Sequence, residues 1–318
     1  MASPLYDAIL SNDLSAAESI IAEDKSIVNK YVNKSGKSFL TNFQAAVLMG
    51  SPEMIQLLIE NGAEIEKPLK PIFEGNKHTA TPLKLAVSDR DPQIVKMLLD
   101  AGANPNTIVD ALNSTPIHFY DFKGDRTLSE KLEILDLLIK AGANVNTGMS
   151  PLLHTSSEPE IIKRLIAAGA NVNARNLMGE TPLSKLLKLG RNEENSEENT
   201  DENTDENTED NNEGNNEENT EEIISLLLEN GADVKLHVGG KSIYLKAMAS
   251  RRIPDHIKAL LEEYKDHSTW LRRRQAFAAF GAAGAGKSTA TRRGGRRKRY
   301  RRRSLKTRRA FKTRRVKV

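Results

Sequence analysis

A phrase that returns five times constrains this chain more than any other feature. It reads "LLIENGAEIE" at 57–66, "LLDAGANPN" at 98–106, "LLIKAGANVN" at 137–146, "RLIAAGANVN" at 164–173 and "LLLENGADVK" at 226–235. Its glycine falls at Gly62, Gly102, Gly142, Gly169 and Gly231. Upstream of each stands a second phrase: "TNFQAA" at Thr41, "TPLKLA" at Thr81, "TPIHFY" at Thr115, "SPLLHT" at Ser150 and "TPLSKL" at Thr181. Two phrases recurring in register mean a row of repeated supersecondary units rather than one closed core.

Each phrase has a physical reading. Thr-Pro opens a helix, because the threonine oxygen can cap the first turn and proline there has no amide hydrogen to lose. The second apolar set, such as Ile94, Val95, Leu98 and Leu99, has helical spacing. The glycine then ends the second helix in a left-handed turn. A helical hairpin of this size cannot bury its own apolar faces, so stacked neighbours must supply the contact.

These motifs resemble the ankyrin repeat over about residues 3–264. The resemblance implies an all-α ankyrin-repeat solenoid with β-turn loops. Five clear units begin near Asn33, Asn76, Asn113, Thr147 and Asn176. Residues 1–32 are expected to be an N-terminal capping repeat, 33–190 the repeats, and 223–266 the end of the last full repeat with a C-terminal cap. The fourth position of the Thr-Pro phrase is histidine only at His118, with Gln44, Lys84, Leu153 and Ser184 elsewhere. His118 is read as structural, bridging loops by hydrogen bonds. Degenerate repeats joined to a basic tail resemble those of ankyrin proteins from large DNA viruses, intracellular bacteria and protists.

Charge divides the chain. Residues 271–318 hold 20 Lys+Arg and no Asp or Glu, while 1–270 hold 27 basic and 43 acidic residues, a charge of −16. Residues 191–222 are expected to be a disordered acidic insertion within a repeat. Between Asn192 and Glu222 stand 15 acidic residues and no basic or apolar ones, which cannot build a core. It stretches the Thr181–Gly231 spacing to 50 residues, where Thr41–Gly62 and Thr81–Gly102 each span 21. Residues 267–290 read as a short helix and Gly/Ala linker, and 291–318 as a disordered basic tail.

One stretch points to different chemistry. "FGAAGAGKST" places Gly281, Gly286, Lys287 and Ser288 on the phosphate-loop pattern. Such a loop needs a buried strand before it, a helix after it and a further acidic residue for magnesium. Here a charged segment precedes it, and none of the 30 residues after Ser288 is acidic. NTPase activity is therefore set aside. No disulfide or thiolate site is expected, since cysteine is absent. Catalytic, metal and cofactor sites are not expected either, and the histidines show no metal-ligand spacing.

The resemblance implies a non-enzymatic adaptor that binds a protein partner through loop tips and first helices. Position in the repeat selects Lys34, Ser35, Lys37, Asn76, Lys77, His78, Asn113, Arg175 and Met178 as contacts. The tail offers a second role in nuclear targeting or in polyanion contact with RNA, DNA or an acidic protein. Its candidates are Arg292, Arg293, Arg296, Arg297, Lys298, Arg299, Tyr300, Arg301, Arg302, Arg303, Lys306, Arg308 and Arg309. A nucleic-acid-associated protein, with the tail as its principal site, is the alternative. No secretory leader or membrane-spanning helix is expected from the sequence, and the chain is expected to be a monomer in the cytoplasm or nucleus.

Overall fold

A computed structural model describes residues 4–34, 38–68, 80–89, 92–121, 126–149, 151–189 and 213–266. The phosphate-loop-like stretch, the expected 267–290 helix and linker, and all the tail candidates lie outside them. The described chain is a row of seven helical pairs. Helices α1 (Pro4–Leu10) and α2 (Leu14–Glu23) form the first, α3 (Asn42–Met49) and α4 (Pro52–Glu60) the second, and α5 (Pro82–Asp89) and α6 (Pro92–Asp100) the third. A 3₁₀ turn at Pro116–Phe119 pairs with α7 (Leu128–Lys140), and another at Leu152–His154 pairs with α8 (Pro159–Ala167). Helices α9 (Pro182–Leu186) and α10 (Glu213–Glu229), then α11 (Ile243–Ala249) and α12 (Asp255–Glu263), complete the row.

Two short antiparallel ladders mark the loops between pairs: β1 (Tyr31–Lys34) with β2 (Ser38–Thr41), and β3 (His237–Val238) with β4 (Lys241–Ser242). First helices stack on first helices and second on second. The first helices are enclosed nearly all round; α3 buries every residue from Asn42 to Val47. Second helices bury one stripe, such as Met54, Ile55 and Leu58 on α4 or Ile161, Ile162 and Leu165 on α8. Each such side chain contributes about 2 kcal/mol on leaving water. All these stripes join one continuous core from Leu5 to Leu261.

The five phrase glycines take positive φ, from 85° at Gly62 to 95° at Gly231. A Cβ there would meet no atom within 4 Å at Gly62, Gly102, Gly142 or Gly169. Backbone conformation, not crowding, therefore demands glycine.

Three features depart from the sequence expectation. The first helix is only a 3₁₀ turn in the units at Thr115 and Ser150. In the latter, Pro159 at the start of α8 leaves seven residues after Pro151 for both the turn and the connection. In the former, Arg126 from the longer connection donates from Nη1 to the carbonyls of Tyr120 at 2.7 Å and Val87 at 2.6 Å. The arginine thereby serves the Tyr120 carbonyl, which a longer first helix would have paired, and ties it to the last turn of α5. The third departure is α10, which begins at Glu213, inside the 191–222 stretch expected to lack structure. Its buried residues Ile223, Ile224, Leu227 and Leu228 anchor the helix.

Candidate protein-binding edge

Side-chain bridges fix how one unit sits on the next, and asparagine forms most of them. Asn106 donates from Nδ2 to the Gly142 carbonyl at 2.9 Å and accepts the Asn144 amide on Oδ1 at 2.7 Å. Asn146 does the same to Gly169 and Asn171, at 2.9 and 2.8 Å. Asn173 does so to Gly231 and Asp233, again at 2.9 and 2.8 Å. Asn29 forms the equivalent clamp on Gly62 and Glu64, at 2.9 and 2.7 Å. Between the second and third pairs the position is Glu66, which accepts the Asn104 amide at 2.8 Å and the Thr107 hydroxyl at 3.0 Å. As an acceptor, an ionised carboxylate cannot donate to the Gly102 carbonyl. At the last position Lys235 stands instead, paired with Asp266.

A second row of bridges starts at the fourth residue of the Thr-Pro phrase. Gln44 accepts the Thr41 amide at 2.8 Å and donates to the Lys67 carbonyl at 2.6 Å. Lys84 places its ammonium 4.7 Å from the Phe119 ring centre, and burial lowers its pKa. His118 accepts the Thr115 amide on Nδ1 at 3.1 Å, which puts its proton on Nε2, facing the Thr147 carbonyl at 3.0 Å. The structural reading of His118 therefore holds. Its ring also dictates Gly148, where a Cβ would come within 2.5 Å of Nε2. The next unit bridges one residue later: buried His154 meets the Glu180 carbonyl through Nε2 at 3.0 Å. Burial depresses the pKa of His154, and its Nδ1 has no hydrogen-bond partner among the described residues.

On this frame the loop tips are held by side-chain and backbone hydrogen bonds. Asp110 Oδ1 accepts the amides of Leu112 and Ser114, each at 2.9 Å, and the Leu112 carbonyl takes the Met149 amide of the next tip at 2.9 Å. Asn176 Oδ1 accepts the amides of Met178 at 3.0 Å and Glu180 at 2.9 Å. These turns hold large apolar side chains out to solvent: Ile108, Leu112, Met149, Leu177 at 69% exposure and Met178 at 66%. Of the nine exposed large hydrophobics among the described residues, five stand on these three adjacent tips. Apolar side chains gathered on one edge, on backbone already ordered, suit a partner's apolar surface.

The sequence candidates divide. Met178 is on this edge. Asn113 is beside Leu112, exposed and in the left-handed conformation at φ 56°. Arg175 is exposed and also structural: its guanidinium donates to the carbonyls of Gly179 at 2.6 Å and His237 at 3.0 Å, tying one tip to the next. Lys34 is the last residue of β1, opposite Ser38. Ser35, Lys37, Asn76, Lys77 and His78 lie outside the described residues. Selecting tips by position in the repeat left out the exposed Ile108, Leu112, Met149 and Leu177. The available signal was the apolar residue beside each turn-former, as in "NLMG" at 176–179.

Comparison with known proteins agrees with this architecture. A family model described as ankyrin repeats matches residues 5–109 in 3 copies. The ankyrin repeat domain of Bcl-3, a member of the IkappaB family, superposes with a TM-score of 0.58 at 20% identity. That match covers 80% of this chain and 98% of the other. Phosphocholine transferase AnkX of Legionella pneumophila is 25% identical over 122 residues, 36% of this chain. The E3 ubiquitin-protein ligase hecd-1 of Caenorhabditis elegans is 35% identical over 102 residues, 32% of this chain. The matched segments span only 12% and 3% of those two relatives.

Proposed function

We propose, from the premise that this chain is an ankyrin-repeat protein, that it is a non-enzymatic adaptor gripping a protein partner along the tips carrying Ile108, Leu112, Met149, Leu177 and Met178. Ankyrin repeats mediate protein binding, and the observation that carries the site is the concentration of exposed apolar side chains on these three tips. The match to the transferase is distant and covers only a repeat region, 12% of that protein, and the match to the ligase spans 3% of that one. A test compares affinity capture by the full chain with capture by a Leu112→Asp/Leu177→Asp/Met178→Asp variant of matched thermal stability. Proteins enriched by the first and lost with the second support the edge. Identical enrichment overturns it.

The 20 Lys+Arg of residues 271–318 favour a second element, a tail that contacts polyanions. Clustered cations release counterions from nucleic acid, so binding should fall steeply with salt. Fluorescence anisotropy of labelled RNA and duplex DNA, with the full chain against one ending at Trp270, tests this. Salt-sensitive binding lost on truncation makes the tail an anchor; equal binding by both removes it. We propose a nuclear address for the run 296–303 on the same charge.

A further inference from the structure

We propose that the array carries a second contact site at its helix-to-helix turns, which takes a short acidic peptide bearing an apolar side chain. The proposal rests on the protein-binding reading above but uses a different face. A cavity of about 630 Å³ opens between the turn after His154, the end of α9, the middle of α10 and the α11–α12 connection. These turns are at the end of each helical pair away from the hairpin tips. The volume is within the ~300–1,000 Å³ typical of small-ligand clefts, enough for an anchoring side chain with its neighbours.

The chemistry of the cavity is two-sided. Its walls include Ile224, Ile253 and Ile257, all buried from bulk water. Its rim carries Lys185, Lys188, Arg252 and His256 against one carboxylate, Glu221, already paired with His256 at 2.5 Å. Lys185 donates to the His154 carbonyl at 2.5 Å. Lys188 and Arg252 have no ion-pair partner among the described residues and remain available to an incoming carboxylate. An apolar well with two unpaired cations at its mouth selects an aliphatic or aromatic side chain flanked by Asp or Glu.

Lys188 adds an independent sign. It takes the left-handed backbone at φ 51°, as do Asn12 and Asn113 alone among the other described non-glycine residues. Asparagine tolerates that region, whereas lysine is strained there. Glycine would relieve the strain and remove the cation together.

The test uses the full chain labelled at isoleucine methyls, titrated with the peptide Ac-Asp-Glu-Leu-Glu-Asp-NH₂ and followed by NMR. Saturable shifts at Ile224, Ile253 and Ile257 are expected, with much weaker shifts when Asn replaces the peptide's Leu. A Lys188→Glu/Arg252→Glu variant should weaken binding about tenfold or more while leaving the basic tail unchanged. Lys188→Gly should weaken it while leaving stability equal or higher, which separates binding from folding. The proposal is overturned if these methyls stay still at millimolar peptide, or if the Asn peptide works as well. It is also overturned if only deletion of residues 192–212 moves them, since the chain's own acidic segment would then be the occupant. Failure of the tip variant in affinity capture would leave these shifts untouched, so the two readings fail separately.

Discussion

Two neighbouring joints of the array differ greatly in sequence and hardly at all in geometry. Asn146 reaches Gly169 and Asn171 across 23 and 25 residues; Asn173 reaches Gly231 and Asp233 across 58 and 60. The distances are 2.9 and 2.8 Å in both. The stack is therefore set by what faces what across the joint, and the connection length is almost free. This is the expected behaviour of a linear array whose stability is a sum of unit and nearest-neighbour terms. A long flexible connection adds closure entropy only logarithmically.

The largest effects should come from the core on either side of the long connection. Leu165 on α8 and Leu227 on α10 are both fully buried. Truncation of either to alanine should cost about 2–5 kcal/mol. Denaturant unfolding of the two variants should show losses of similar size. A much smaller loss at Leu227 would mean that α10 is docked less firmly than α8 and would break the equivalence of the joints.

The clamps come next. Asn146→Ala and Asn173→Ala each remove two hydrogen bonds to backbone groups and should each cost about 2 kcal/mol. Near-equal midpoint shifts would sharpen the comparison, whereas a silent Asn173→Ala would confine the clamp to short connections. Glu66→Asn extends the test, since it supplies the donor that the Glu66 joint lacks.

How much of this was legible in the sequence depends on the kind of residue. The glycine phrase and the Thr-Pro phrase mark helix ends by backbone chemistry that no neighbour is needed to interpret, so the stack and its register could be read directly. The clamp asparagines were in plain view as the second Asn of "GANPN" and "GANVN", but their partners are 23 to 60 residues away, and the spacing alone does not say what they hold. The α10 start was missed because composition weighs the acidic stretch on its own. In the fold its last turns are continuous with a buried apolar stripe. The bridging role of Arg175 was hidden for a related reason: its partner, the carbonyl of His237, is 62 residues away in sequence.

The two bridging histidines offer a finer comparison. His118 should tolerate glutamine, because Gln44 makes the same pair of bonds in an earlier unit. His118→Gln should cost under about 1 kcal/mol, and His118→Ala about 2 kcal/mol, since the alanine leaves two backbone groups unpaired. Equal losses would show that ring shape, not hydrogen bonding, matters there. His154 differs because its folded pKa is depressed by burial. The unfolded chain then binds the proton more readily, so this stabilisation is intact above about pH 6.5 and is lost as pH falls below it. Urea midpoints measured from pH 7.5 to 5 should decline, and the decline should be shallower in His154→Gln.

The smallest effect tests the premise of the whole comparison. If residues 191–212 only close a loop, halving that stretch should stabilise the array by about 0.6 kcal/mol, the cost of one doubling of loop length. The change should be the same at low and high salt, because chain entropy carries no charge. A loss of stability, or a gain that disappears in 0.5 M salt, would show that the acidic residues make contacts of their own. Ionic contacts of that kind are screened within about 10 Å at 0.1 M salt and more strongly above it. The joint at Asn173 would then owe part of its geometry to the long connection, and its likeness to the Asn146 joint would have two causes instead of one.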